Sequence, residues 1–119
     1  MEGMDMRGIG IDSAEIRRFQ NLKRGDDMRF FARTFSEGEL EYCFSYADPA
    51  PHLAGAFAAK EAVRKVYGDE SLALADIEVR HRVSGKPEIW MKGECVRTCL
   101  VSITHNATSA IAVALDYLS

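Results

Sequence analysis

Residues 52–67, HLAGAFAAKEAVRKVY, constrain this chain more than any other stretch. As a helix, the segment lines up Ala54, Phe57, Ala58, Glu61 and Ala62 along one side, because positions three and four apart share a face. Glu61 then projects from a stripe of small and apolar residues, a costly place for a carboxylate unless a charged group meets it. Lys60 and Arg64 flank it and make one edge of the helix positive. Two readings follow from this helix alone. Glu61 pairs with Lys65 one turn on, a surface ion pair worth a few tenths of a kcal/mol, roughly. Alternatively, a carboxylate beside two cations grips a metal ion that carries phosphate oxygens.

The 119 residues suffice for one domain, 1–119, with a core of its own. No apolar run approaches the length of a membrane helix. The start, MEGMDMRGIGID, lacks a signal-peptide pattern, and Met1, Met4 and Met6 are all candidate first residues. Cys43, Cys95 and Cys99 are odd in number and contain no CxxC pair, which argues against a disulfide framework or zinc knuckle and for cytoplasmic residence. A net charge of −3 disfavours a general nucleic-acid binder. The charge is uneven, however: Arg17, Arg18, Lys23, Arg24, Arg29 and Arg33 outweigh Asp26 and Asp27, a local excess that attracts an acidic partner or simply faces solvent.

Residues 6–12, MRGIGID, read as a short buried strand whose glycines allow another backbone to come close. Asp12-Ser13-Ala14-Glu15 fits a helix N-terminus, with Asp12 or Ser13 as the cap and a helix running to about Leu22. GIG lacks the third glycine of a dinucleotide fingerprint. Residues 25–35 form a basic connection anchored by Phe30, Phe31 and Phe35. Ser36-Glu37-Gly38-Glu39 is a capping box for a second helix, Asp48-Pro49 stops it, and Pro51 opens the long helix. From Asp76 the pattern changes to strands: Ile77, Val79 and His81 alternate with charged residues, Ser84-Gly85-Lys86-Pro87 turns, and Ile89 and Trp90 return. Residues 99–104 and 109–115 are two further strands joined by a turn at His105-Asn106-Ala107-Thr108. Helices first and a mostly antiparallel sheet later define an α+β chain. His105 closes an apolar strand; it is a hydrogen-bonded turn residue, a cation for phosphate, or a proton acceptor near neutral pH.

Taken together, GIGID near the start with Ile16 and Arg18 after it, TFSEGELEYC at 34–43, LAGAFAAKEA at 53–62, GKP at 85–87 and VSITH at 101–105 resemble the holo-acyl-carrier-protein synthases, small phosphopantetheinyl transferases. The resemblance covers nearly the whole chain. It implies the 4′-phosphopantetheinyl transferase fold and transfer of the 4′-phosphopantetheine arm of coenzyme A to a serine of apo-acyl carrier protein, with release of 3′,5′-ADP. By motif position, Asp12 and Glu61 are the expected magnesium ligands, with the pyrophosphate completing the site. Lys60 and His105 are expected beside the pyrophosphate, so that Glu61, Lys60 and His105 form the expected catalytic set. Gly85, Lys86 and Pro87 are placed near the adenosine end of coenzyme A. Arg18 and Arg33 match the arginines on which the family docks acidic carrier proteins. The resemblance further implies a homotrimer with active sites shared between neighbouring subunits.

The chain departs from that pattern at Ala56, where the family usually has arginine, and Arg64 or Lys65 is the expected substitute for the missing phosphate contact. The segment between Trp90 and Val101 is short for the family, and LKRGDDMRFFAR is irregular. Two alternatives use the same residues: a catalytically impaired carrier-protein-binding module of the same fold, and a small nucleotide-binding or nuclease-like metalloprotein.

Overall fold

The computed structural model describes residues 5–118, so the candidate starts Met1 and Met4 lie outside the described residues. The first strand, β1 (Asp5–Glu15), runs three residues past the expected end at Asp12. The last strand, β6 (Ser109–Leu118), pairs antiparallel with it along this extension, Asp12 opposite Ala112 and Glu15 opposite Ser109. Asp12 is therefore a strand residue and caps nothing, and the following helix α1 is the single turn Arg17–Gln20. The ladder wins because each added pair satisfies backbone groups on both strands, whereas a helix must first fix a whole turn for one hydrogen bond. Ile16 and Phe19 are buried as expected.

Helix α2 (Met28–Thr34) occupies the basic connection, and its Phe31, with Phe35 beyond it, is buried in the core. Helix α3 (Glu37–Phe44) begins with the expected capping box: the Ser36 hydroxyl accepts from the Glu39 N–H, and the Glu39 carboxylate accepts from the Ser36 N–H. The long helix α4 (Ala50–Tyr67) has Pro51 in its first turn and ends at Gly68, which takes the left-handed conformation at φ 61°.

Two three-stranded antiparallel sheets complete the α+β fold. One has the order β1-β6-β5, with β5 at Cys99–His105. The other has the order β2-β3-β4, formed by Ile77–His81, Pro87–Met91 and Glu94–Cys95. Helix α4 lies across the inner face of the first sheet. Ala110, Ala112 and Ala114 of β6 meet Ala54, Ala58 and Ala62 of the helix, all fully or almost fully buried. Small residues on both sides let helix and sheet approach closely.

β1 takes this furthest. A Cβ on Gly10 would stand 2.1 Å from the Ala62 carbonyl oxygen and 2.9 Å from the Lys65 Cβ, and one on Gly8 would stand 2.5 Å from the Val66 carbonyl oxygen. The glycines before Asp12 therefore set how near the end of α4 comes to it. Gly10→Ala is expected to destabilise the protein by about 3 kcal/mol, the upper end of ordinary overpacking. Urea unfolding checks this: the midpoint falls while the slope stays constant.

The outer face of the same sheet is uncovered. Met6, Ile9, Ile11, Leu100 and Ile111 are between 41% and 63% exposed there. Among the described residues no helix is long and apolar enough to cross a membrane.

Candidate active site

The close seat of α4 on β1 brings Asp12 against the last two turns of the helix. Lys65 donates to the Asp12 carboxylate at 3.0 Å and to the Ile11 carbonyl at 2.9 Å. Glu61, one turn earlier and half-buried, has Arg64 at 3.5 Å. Lys65 thus pairs across to β1 and not with Glu61, as the isolated helix would suggest. Two carboxylates and two cations share one open groove edge, with Gly68 and Glu70 at its rim.

Lys60 is not part of this group. Its side chain is fully buried, and its ammonium pairs with the equally buried Glu39 of α3. Glu39 also accepts from the Val79 N–H of β2 at 2.7 Å, and the Phe35 ring lies 5.3 Å from the Lys60 ammonium. Burial pushes the Glu39 carboxyl up and the Lys60 ammonium down, while their mutual attraction opposes both changes. The expected place of Lys60 beside pyrophosphate is corrected: adjacent helix positions point about 100° apart, so when Glu61 faces the groove Lys60 faces the core. It ties α4 to α3 and β2.

The other predicted residues meet elsewhere. A cleft between α3, α4 and the ends of β2 and β5 is lined by Tyr42, His52, Ala56, His81, Gly85, Pro87 and His105. Gly85 sits at the β2–β3 turn with φ 93°, a backbone that favours glycine. Lys86 is exposed and belongs instead to a groove with Arg82, Glu88 and Trp90. At His105 the chain turns through Asn106, whose side-chain amide oxygen Oδ1 accepts from the Thr108 and Ser109 N–H groups, both at 2.9 Å.

Ala56 lines this cleft, whereas Arg64 and Lys65 line the groove with Glu61. At about 100° per residue, Glu61 and Lys65 lie roughly 140° and 180° around the helix from Ala56. Helix α4 therefore carries two groups on opposite sides: Asp12's partners on one, the histidine cleft on the other.

Arg18 and Arg33 are both exposed. The Arg18 guanidinium lies 4.7 Å from the Phe57 ring centroid, which holds it flat on α4. Among the described residues neither arginine forms an ion pair.

The donor chemistry at Asp12 and Glu61 fits magnesium. Both offer hard carboxylate oxygens on a partly open edge, with Arg64 and Lys65 beside them. One or two carboxylates completed by substrate phosphates is the arrangement that ion favours. Three residues escaped the sequence reading of the site. Lys65 was visible only as a neighbour of Glu61 and a substitute for the contact missing at Ala56, Glu39 only as part of a capping box, and His52 only as the start of the helix. Their roles depend on contacts 21 to 53 residues away in sequence.

The profile of the 4′-phosphopantetheinyl transferase superfamily matches residues 8–114. The holo-[acyl-carrier-protein] synthase of Thermodesulfovibrio yellowstonii is 37% identical over 108 residues, covering 90% of this chain and 95% of that protein. The crystal structure of a holo-(acyl-carrier-protein) synthase from Bacillus anthracis in complex with CoA (3′,5′-ADP) superimposes with a TM-score of 0.77 at 30% identity, over 96% of this chain and 98% of that one. The Helicobacter pylori synthase in complex with coenzyme A gives a TM-score of 0.74 at 29% identity, over 89% and 96%. The chain belongs to the 4′-phosphopantetheinyl transferase superfamily. Within it, this is an enzyme of the holo-[acyl-carrier-protein] synthase type.

Proposed function

We propose that the chain moves the 4′-phosphopantetheine arm of coenzyme A onto a serine hydroxyl of an acidic apo-acyl carrier protein, leaving 3′,5′-ADP, in a magnesium-dependent reaction. The observation that carries this reading is the cluster of Asp12, Glu61 and Lys65, assembled by the glycines of β1 against the end of α4. The coenzyme A complexes of the Bacillus anthracis and Helicobacter pylori proteins support the donor.

In the reaction the serine oxygen forms a bond to the β-phosphorus, and the bond from that phosphorus to the bridging oxygen breaks. The electron pair leaves with the 3′,5′-ADP. Asp12 and Glu61 would hold magnesium, which when bound supplies Lewis-acid neutralisation of the phosphate charge. Lys65, held beside Asp12, adds a fixed positive charge where negative charge develops on the leaving phosphate. Glu61 accepts the serine proton directly or through a water. Lys60 keeps α4 in place through its buried pair with Glu39.

The two groups on opposite sides of α4 support a site completed by a neighbouring copy. One protomer supplies Asp12, Glu61 and Lys65, and the next supplies the cleft with Gly85, Pro87 and His105. The uncovered apolar face of Met6, Ile9, Ile11, Leu100 and Ile111 gives such copies a surface to bury, in keeping with a homotrimer. Chromatography of the nucleotides after incubation with coenzyme A and apo-carrier protein tests the reaction. One 3′,5′-ADP per modified carrier, lost with a chelator, is the expected result. Nucleotide release without carrier modification would contradict it.

Arg18 and Arg33 are exposed to an acidic carrier, and among the described residues neither is taken up by an ion pair. Arg18→Glu with Arg33→Glu is expected to raise the carrier-protein KM by about a hundredfold and leave the coenzyme A KM within about twofold, because rim charges govern encounter and orientation. Steady-state kinetics with each substrate varied in turn checks this. Two unchanged constants would place the docking surface elsewhere.

A further inference from the structure

All three histidines of the chain converge on one cleft. His52 comes from the first turn of α4, His81 from the end of β2 and His105 from the end of β5. Each of the first two is stacked on a tyrosine. The His81 and Tyr42 rings are parallel within 8° with centroids 4.0 Å apart, and the His52 and Tyr46 rings are parallel within 15° at 3.5 Å. The tyrosine hydroxyls are joined at 3.1 Å, and His52 stands edge-on to His105 at 6.1 Å. The rings are thus fixed in orientation around an open space, with Val79, Ile103 and Pro87 as apolar walls.

Among the described residues no lysine or arginine lines the cleft. The titratable groups facing the histidines are Glu39, Tyr42 and Cys43 of α3, Tyr46 and Asp48 of the following loop, and the histidines themselves. Glu39 is committed to Lys60. Burial pushes the Tyr42 hydroxyl and the Cys43 thiol up to about 12, so both stay neutral in ordinary buffers. Asp48 is exposed at the rim, where its carboxylate accepts from the Ala50 N–H at 3.3 Å. Among the described residues the histidines are therefore the only source of positive charge in the cleft, and that charge depends on pH.

We propose that His52, His81 and His105 form a phosphate-binding subsite for the nucleotide part of coenzyme A, in which imidazolium takes the place of a permanent cation. The subsite rests on the coenzyme A reading above and goes beyond it by making donor affinity pH-dependent. The free cleft resists protonation: burial first, then the charge of the neighbouring histidine, holds His52 and His81 below the ordinary imidazole value. A phosphate dianion between the rings reverses this balance, so binding takes up protons. Affinity is gained below the bound-state imidazole pKa and lost as pH rises through it. Phosphate itself becomes singly charged near pH 6, about its second pKa, which sets a lower limit to the gain.

Isothermal titration of the intact protein with coenzyme A and with 3′-dephospho-coenzyme A, in buffers of different ionisation enthalpy between pH 6 and 8, tests this. The expected result is net proton uptake and coenzyme A binding about tenfold tighter at pH 6 than at pH 8. His52→Gln and His81→Gln, each shown folded by circular dichroism, are expected to flatten the profile, and His52→Arg to give tight binding at both pH values. Loss of the pH dependence with the dephospho compound assigns the subsite to the 3′-phosphate; its persistence assigns it to the pyrophosphate. Coenzyme A binding that ignores pH, or a pH dependence unchanged in both glutamine variants, would overturn the subsite alone. Absence of coenzyme A binding at every pH would overturn the underlying reading as well.

Discussion

Glu61→Ala is expected to lower the rate of arm transfer by about a thousandfold, equivalent to about 4 kcal/mol of transition-state stabilisation. The protein should remain folded. Glu61 is half-exposed, and its one side-chain partner among the described residues is Arg64 at 3.5 Å, a contact of little weight for stability. What the substitution removes is a carboxylate at the developing charge, together with the acceptor for the serine proton. Asp12→Ala should act in the same direction, because it removes the second carboxylate and frees Lys65 from its position. Single-turnover kinetics with saturating coenzyme A separates this loss from weaker binding. Transfer at the wild-type rate would remove Glu61 from the chemistry.

Lys60→Met, in the same KEA motif, should do the opposite: abolish stability before chemistry. Removing the ammonium leaves the Glu39 carboxylate buried and without its charge partner, at a cost of about 3 to 5 kcal/mol. The pH dependence gives a second signature. With Lys60 gone, burial raises the Glu39 carboxyl still further, and a group with a raised folded pKa contributes stability below that value and loses it as pH rises through it. The deficit should therefore shrink as pH falls, because the neutral carboxyl can be buried at less cost. Thermal unfolding of wild type and variant across that range checks both the size and the slope. A Lys60→Met protein as stable as wild type, with impaired transfer, would return Lys60 to the active site.

These two neighbours show what the sequence made legible and what it did not. The capping box at Ser36, the hairpin turn at Gly85 and the strands around His105 were readable because their causes are local: a side chain reaching three residues back, a turn glycine, an alternation of apolar residues. The end of β1 was misjudged for the converse reason. Asp12-Ser13 has good local chemistry for a cap, and only β6, almost a hundred positions away, decides that it stays extended. The motifs pointed to Asp12 and Glu61 as the proposed metal pair, whereas the burial of Lys60 was hidden because a flat string does not say which side of a helix the core lies on. The side on which α4 packs also moves Ala56 away from Arg64 and Lys65 and next to His52.

On the proposed function, the two sides of α4 belong to one reaction joined between copies of the chain. Protomers carrying Glu61→Ala, mixed by co-expression with protomers carrying His105→Ala, test it most directly, with intact mass spectrometry of the carrier protein as the readout. Each variant alone is expected to leave the carrier unmodified. Mixed oligomers should restore the mass gain of one phosphopantetheine arm, because a protomer with intact Glu61 then meets a neighbour with intact His105. Mixed oligomers that form but leave the carrier unmodified would contradict the claim and place both groups within a single protomer's site.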